Sequence, residues 1–321
     1  MGAKTLFCLL VVAAVACFVA CPPPNPPNYP TKPIELKYYK TGSWAVSVNT
    51  GGFCCDSGNH KFDVYYPTNL GAGSFMHPIL TWGNGTLGSA GQVDFFLRHM
   101  ASWGFVVIAT EDQFTGAGQT ILDGANFMVH ANSDSASPFF HKLNVSQIGA
   151  FGHSQGAGGA GQAFIKSAGL IKTVMPIELP ARAWCTLGSN CFEPANLTGG
   201  SVFFIDGSAD IPISPPTQSQ PPAVIGEQSV QAFYDATPNS VRKLKGTLRG
   251  PAHNDITGQP DCSHNAQFPC INGVYGYLGY PTAWFMDQLQ GDTYAHGAFV
   301  SGTGEMFTES ANWELVASNI P

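Results

Sequence analysis

Gly152-His153-Ser154-Gln155-Gly156 has the form G-x-S-x-G. The string alone is a weak signal in a chain rich in glycine and serine, but its surroundings give it meaning. The stretch Ile148, Ala150, Phe151 runs into it as a strand, and small residues from Ala157 to Ala163 leave it as a helix. A tight turn between the two, flanked by glycines, lifts a serine hydroxyl above a sheet as a nucleophile elbow. A hydroxyl is a poor nucleophile until a base takes its proton, so a histidine must reach Ser154. In chains with such an elbow the acid follows the serine and the histidine comes last. After Ser154 only His253, His264 and His296 remain. His253 follows a strand ending near Leu248, which puts it in a loop above the sheet. His264 lies between Cys262 and Cys270, in a surface loop, and His296 lies beyond the last helix. His253 is therefore the candidate base.

The acid should follow an intervening strand, where it can orient the imidazole and stabilise its charged form. Val202-Phe203-Phe204-Ile205 is that strand, and it leads into Asp206-Gly207-Ser208-Ala209-Asp210. Asp210, beyond the turn, is better situated than Asp206 at the strand's edge; the other of the two would cap the turn. Acyl transfer also needs donors for a developing oxyanion. The backbone N–H of Gln155, next to the nucleophile, is one candidate. The N–H of Thr86 is the other, in the loop Gly83-Asn84-Gly85-Thr86 after the strand His77 to Thr81.

The elements that must position these residues alternate. Strands are expected at Lys61 to Tyr66, His77 to Thr81, Phe105 to Ala109, Ser146 to Phe151, Thr173 to Ile177, Ser201 to Ile205 and Arg242 to Leu248. Phe105-Val106-Val107-Ile108-Ala109 is unbroken apolar, as buried parallel strands are. Val93, Phe96, Leu97 and Met100 fall at i, i+3, i+4 and i+7, an amphipathic helix. Further helices are expected near Thr120 to Ala131, Ala157 to Ala163, Glu227 to Ala236 and Pro281 to Leu289. Strands alternating with helices mean an α/β fold with a mainly parallel central sheet and helices on both faces, and ligands bind at the carboxyl ends of such strands.

Composition bounds the remaining possibilities. Only 11% of the residues are charged, the formal net charge is −7, and no basic run occurs, which argues against a nucleic-acid partner. Lys4 precedes an apolar stretch from Leu6 to Ala20, too short to span a membrane and of the right length for a signal-peptide core. Ala14-Val15-Ala16 and Ala20 offer cleavage positions; lipoprotein anchoring at Cys17 or Cys21 is the variant of this reading, without a good lipobox leucine. The expected division is a leader over 1–20, a Pro-rich tether over 21–36, and one α/β domain over 37–321, secreted, monomeric and without a membrane span once the leader is removed. Six cysteines lie beyond the leader: Cys54, Cys55, Cys185, Cys191, Cys262 and Cys270. Cys185 with Cys191, and Cys262 with Cys270, are close enough to staple single loops, in keeping with an oxidising compartment. Adjacent cysteines rarely pair comfortably, which leaves Cys54 and Cys55 without an assignment. No CxxC or HxxxH spacing calls for a metal. Asn84, Asn144 and Asn196 begin glycosylation sequons, and a glycan on Asn84 would block the oxyanion loop.

Several stretches together resemble the bacterial cutinase-like polyester hydrolases, the α/β-hydrolase group that includes poly(ethylene terephthalate) hydrolases. They are Ala101-Ser102-Trp103-Gly104-Phe105-Val106-Val107-Ile108, the elbow with its Gly-Ala-rich helix, Ser208-Ala209-Asp210-Ile211-Pro212, Gly250-Pro251-Ala252-His253, and Ala283-Trp284-Phe285-Met286-Asp287. The resemblance implies the α/β-hydrolase fold, a Ser154–His253–Asp210 triad that needs no cofactor, and an open cleft with Trp184, Ile211 and Gln155 against the acyl part of an ester substrate. Thr86 stands where an aromatic residue is usual and Gln155 where methionine is usual, and the segments from Cys185 to Leu197 and from Asp255 to Cys270 are insertions beside the cleft. The expected activity is that of a serine carboxylic-ester hydrolase of the cutinase or polyesterase kind. A lipase or an esterase acting on small or polysaccharide-borne acyl groups is the alternative, and a non-catalytic binding protein on a hydrolase scaffold is the reading from another class.

Overall fold

The computed structural model describes residues 25–187, 192–217 and 226–321. The leader with its cleavage positions, and the side chains of Cys185 and Cys191, lie outside that description. In chain order the regular elements are helix α1 (Pro33–Tyr39), strands β1 (Val46–Cys54), β2 (Lys61–Pro67) and β3 (His77–Gly83), α2 (Asp94–Ser102), β4 (Val106–Thr110), α3 (Gln119–Ser133), β5 (Leu143–His153), α4 (Gln155–Lys166), β6 (Thr173–Ile177), β7 (Ser201–Gly207), α5 (Val230–Ala236), β8 (Arg242–Leu248), α6 (Gly279–Gln290), α7 (Thr293–His296) and β9 (Trp313–Ser318).

The nine strands form one sheet in the order β1-β2-β4-β3-β5-β6-β7-β8-β9. Every pairing from β4 through β8 is parallel, while β1, β2 and β9 are antiparallel at the edges. This is the α/β-hydrolase arrangement. Strand alternation divides the core between the two faces. Leu80, Trp82, Phe151, Phe203 and Ile205 join Phe96 and Leu97 of α2 and Trp284 and Phe285 of α6 on one side. Ile79, Ile108, Ile148, Val202 and Phe204 join Ile121 of α3, Ala157 and Ala160 of α4 and Phe233 of α5 on the other.

Register is what brings loops together. Gly83 pairs with Gly152, so the loop after β3 leaves the sheet beside the elbow after β5. His153 pairs with Ile177, which sets the residues after β6 against Ser154. Gly207 pairs with Leu248, so the loops bearing Asp210 and His253 also emerge side by side.

Two features differ from the sequence expectation. The Pro-rich segment does not continue as a tether to residue 36, because α1 begins at Pro33 and buries Ile34, Glu35 and Tyr38. Proline suits the first turn of a helix, and Ile34 with Tyr38 makes an i, i+4 apolar pair that docks beside α6. Upstream of α1, Asn28 donates from Nδ2 to the carbonyl of Arg249, tying this segment to the body. Cys54 and Cys55, left unassigned, form a vicinal disulfide, joined by a cis peptide with their Cα atoms 3.1 Å apart. Cys262 and Cys270 are bonded as expected. Among the described residues no helix is long and apolar enough to cross a membrane.

Candidate active site

The elbow is built by close packing. A side chain on Gly156 would meet the Gly83 carbonyl oxygen at 2.1 Å, and one on Gly152 would meet the Gly156 carbonyl at 2.3 Å. Only glycine at these two positions lets the first turn of α4 lie on the end of β3. Between them Ser154 takes φ 54° and ψ −123°, outside the regions a residue with a Cβ prefers, at a cost of about 1–3 kcal/mol. Its N–H donates to the Ile177 carbonyl (3.0 Å) and its own carbonyl accepts from Ala157 N (2.9 Å), so both flanks hold the strained conformation.

His253 and Asp210 arrive on loops strapped to one another. Ser208 N donates to the Leu248 carbonyl (2.7 Å) and Ala209 N to the Pro251 carbonyl (3.0 Å). Asp255 holds the His253 loop from below by accepting the N–H groups of Ala252 (2.7 Å), Gly273 (2.8 Å), Ile271 (3.0 Å) and Asn272. The result is a continuous chain. Ser154 Oγ lies 2.8 Å from His253 Nε2, and His253 Nδ1 lies 2.6 Å from Asp210 Oδ2. With Asp210 accepting from Nδ1–H, Nε2 is free to accept from the serine hydroxyl. Burial alone would raise the Asp210 carboxyl, but the hydrogen bond and charge of His253, with donors from Glu178 and the Ser214 amide, bring it below its ordinary value. Asp206 turns elsewhere, accepting from Thr247 Oγ1 at 2.8 Å, and its burial pushes its carboxyl well up. His264 is exposed beside Asp261, and His296 pairs with Asp287.

Two residues that the sequence reading passed over are also in contact with this chain. Glu178 follows β6 and is fully buried, with φ 51°. It accepts from Tyr277 Oη (2.6 Å) and from Gly207 N (3.1 Å), and it shares a hydrogen bond with Asp210. Burial and the nearby Asp210 and Asp206 charges push its pKa well up, so it is the protonated partner and donates to the Asp210 carboxylate. Glu178, Asp210 and His253 come close enough together for a metal ion, but these hydrogen bonds already engage their facing atoms. His153 donates from Nε2 to the His253 carbonyl at 2.7 Å. Its burial, then the neighbouring His253, hold its pKa down to about 3, so it stays neutral. The only sequence signal for either was position: His153 lies inside the elbow motif and Glu178 ends a strand next to it.

Ser154 opens into a cavity of about 460 Å³ lined by Thr86, Phe114, Gln155, Gly158, Leu179, Trp184, Phe192, Ile213, Phe233 and His253 among others. Gln155 is the first residue of α4, so its N–H has no acceptor within the helix and is free for an oxyanion. The loop after β3 passes close by: a side chain on Gly85 would lie 3.5 Å from Ser154 Cβ. Asn84 anchors that loop, its Nδ2 donating to the carbonyls of Thr110 (2.7 Å) and Asp112 (2.9 Å); it is buried, and its amide is occupied with the fold. Thr86 lines the cavity from this loop. Trp184 is 45% exposed at its rim, with Nε1 donating to the Pro212 carbonyl. Ile211 is 61% exposed and outside the cavity lining, where Ile213 stands instead.

The family model described as PET hydrolase-like (PETase) matches residues 29–187. That stretch holds the first six strands, the elbow with Ser154 and Gln155, the loop of Thr86, and both Glu178 and Trp184; Asp210 and His253 come after it.

Proposed function

We propose that this chain, which over residues 29–187 belongs to the PET hydrolase-like family, is a secreted serine carboxylic-ester hydrolase working through an acyl-enzyme. The family supports ester hydrolysis. The observation that carries the mechanism is the unbroken chain from Ser154 Oγ through His253 to Asp210, at 2.8 and 2.6 Å, opening into a largely apolar cavity.

Ser154 Oγ attacks the ester carbonyl carbon while its proton passes to His253 Nε2. Asp210 accepts from Nδ1–H and stabilises the imidazolium. The carbonyl oxygen becomes an oxyanion held by the N–H groups of Gln155 and Thr86. On collapse the C–O bond breaks and His253 returns the proton to the departing alcohol, which leaves the acyl group on Ser154. His253 then takes a proton from water, whose oxygen attacks the acyl carbon, and a second collapse releases the carboxylic acid and restores Ser154. The Cys262–Cys270 disulfide and the apolar leader support secretion. The domain begins at α1, a few residues earlier than the sequence expectation.

The test is hydrolysis of p-nitrophenyl esters by wild type beside Ser154→Ala. Activity confined to the wild type supports the mechanism; a Ser154→Ala protein with full activity sinks it. An inert, folded wild type would favour a binding protein on a hydrolase scaffold.

A further inference from the structure

Arg182 lies two residues before Trp184 and outside the cavity lining. Its side chain is only 19% exposed and is gripped by two carboxylates from distant parts of the chain. Nη1 and Nη2 donate side by side to the two oxygens of Glu193, the second at 2.6 Å. Nε (3.1 Å) and Nη2 both donate to Oε2 of Glu227. Four of the five guanidinium N–H groups are therefore engaged. Main-chain donors close the same junction: Arg182 N donates to the Glu227 carbonyl (2.7 Å) and Ala183 N to Gln228 Oε1 (3.2 Å). Gly226 makes room for it, with φ 98° and a position where a Cβ would lie 2.7 Å from Arg182 Nε.

An ion cluster of this kind is a weak source of stability, because desolvating the guanidinium and its partners offsets their attraction. What a planar fork bonded on two sides supplies is geometry. It locks the turn that carries Trp184 to Glu193, which precedes β7, and to Glu227, which follows it. Trp184 is what that geometry serves. Its indole is 45% exposed and lines the cavity of Ser154, so water rather than core packing surrounds much of the ring. Nε1 donates to the Pro212 carbonyl (2.8 Å) and Ala181 N to the Ile213 carbonyl (2.7 Å), which ties this turn to the segment after Asp210. Arg182 supplies the other anchor. Freed from it, a half-exposed indole would pivot about its Pro212 bond.

We infer that Arg182 is a positioning residue for substrate binding: through Glu193 and Glu227 it fixes the turn of Trp184, so that the indole stands as a wall for the ring of an aromatic ester. The inference rests on the serine-esterase reading above.

The experiment measures kcat and KM for p-nitrophenyl benzoate, which has a ring on each side of its carbonyl, and kcat/KM for ethyl acetate, which has none. The enzymes are wild type, Arg182→Met, Arg182→Lys, Glu193→Gln, Trp184→Ala and the double variant of Arg182→Met with Trp184→Ala. Active enzyme is counted in each by titration with an alkyl phosphonate ester. An aromatic contact is worth about three- to tenfold in affinity, so Arg182→Met should raise KM for the benzoate by about that factor. Its kcat should stay within about twofold, and ethyl acetate should lose less than about twofold. Lysine, a point charge on a flexible stem, should recover only part of the loss. Glu193→Gln opens one arm at a more exposed position and should shift KM the same way by about twofold; it carries the test if Arg182→Met does not fold. Trp184→Ala should raise KM at least as far, and adding Arg182→Met to it should change nothing more. An unchanged KM in Arg182→Met, a further rise in the Trp184→Ala background, an equal loss on ethyl acetate, or a wild type active on ethyl acetate alone overturns the inference while leaving the esterase intact. No hydrolysis of either ester by the folded wild type would instead overturn the underlying function.

Discussion

Replacing Glu178 tests whether the carboxyl group behind Asp210 tunes the base. Glu178 donates its proton to the Asp210 carboxylate and so competes with His253 Nδ1–H for the same negative charge. The groups facing it are Asp210, Asp206, Tyr277 and His253. Glu178→Leu removes the donor. A hydrogen bond to a charged group is worth about 1.5–3 kcal/mol, and if roughly half of that is felt at the imidazole, the imidazolium gains about 1 kcal/mol, or about 0.7 of a pH unit. The acid limb of kcat/KM should therefore move to higher pH by about that amount, with up to a fivefold loss on that limb. Glu178→Gln keeps a donor toward Asp210 and should leave the limb nearly where it was. Both substitutes carry a Cβ, so the positive φ costs them alike, and both lose part of the bonding to Tyr277 and Gly207, so stability falls by about 1–3 kcal/mol in each. The assay is kcat/KM against pH with p-nitrophenyl acetate. A folded Glu178→Leu enzyme whose acid limb stays put, or moves down, refutes the reasoning.

Other consequences are open to the same tools. His153→Ala leaves the buried His253 carbonyl without its donor and should lower kcat/KM about tenfold, yet leave the pH of the acid limb unchanged, because His153 is neutral throughout that range. Burial, with Glu305 adding to it, pushes Glu35 up to about 8, far above the ordinary carboxylate range, despite the bond from Trp313 Nε1. Between that range and about 8 the unfolded chain gives up a proton that the folded one keeps. Stability should fall with rising pH at up to about 1.4 kcal/mol per pH unit, and a Tm series should flatten in Glu35→Gln. Replacing Cys262 and Cys270 together by serine should cost about 2–3 kcal/mol by loop entropy, read by urea unfolding. It should also slow turnover, because Asn254, beside His253, is hydrogen-bonded to Phe268 and Pro269 within that loop.

Much of this architecture can be read from the residues, and what cannot has physical reasons. β4 and β7 stand out as apolar runs because both faces of a central parallel strand are covered. β1 and β9 are edge strands: Gly51 and Gly52 interrupt the first at a bulge, and neither is buried along its length, so neither has an apolar signature. Helix α1 hides in proline-rich sequence, although Pro33 is its natural first residue. Within the site, Ser154, Asp210 and His253 could be picked out because each follows a strand in a fixed chain order, and the register of β3, β5, β7 and β8 brings their loops together. Glu178 and His153 could not. A glutamate at the end of a strand reads as a surface charge until the fold closes Tyr277 and Gly207 over it. Ile213 rather than Ile211 lines the cavity because both stand in a turn, where neither a strand nor a helix period fixes which side chain faces inward.

The central claim is that Ser154 Oγ carries the acyl group. Peptide mapping by mass spectrometry, after reaction with an alkyl phosphonate ester, tests it directly. The account predicts a single adduct on the peptide containing Ser154, absent in Ser154→Ala and slow to form in His253→Ala. An adduct on any other residue, or a Ser154→Ala enzyme that still turns over ester, would contradict it.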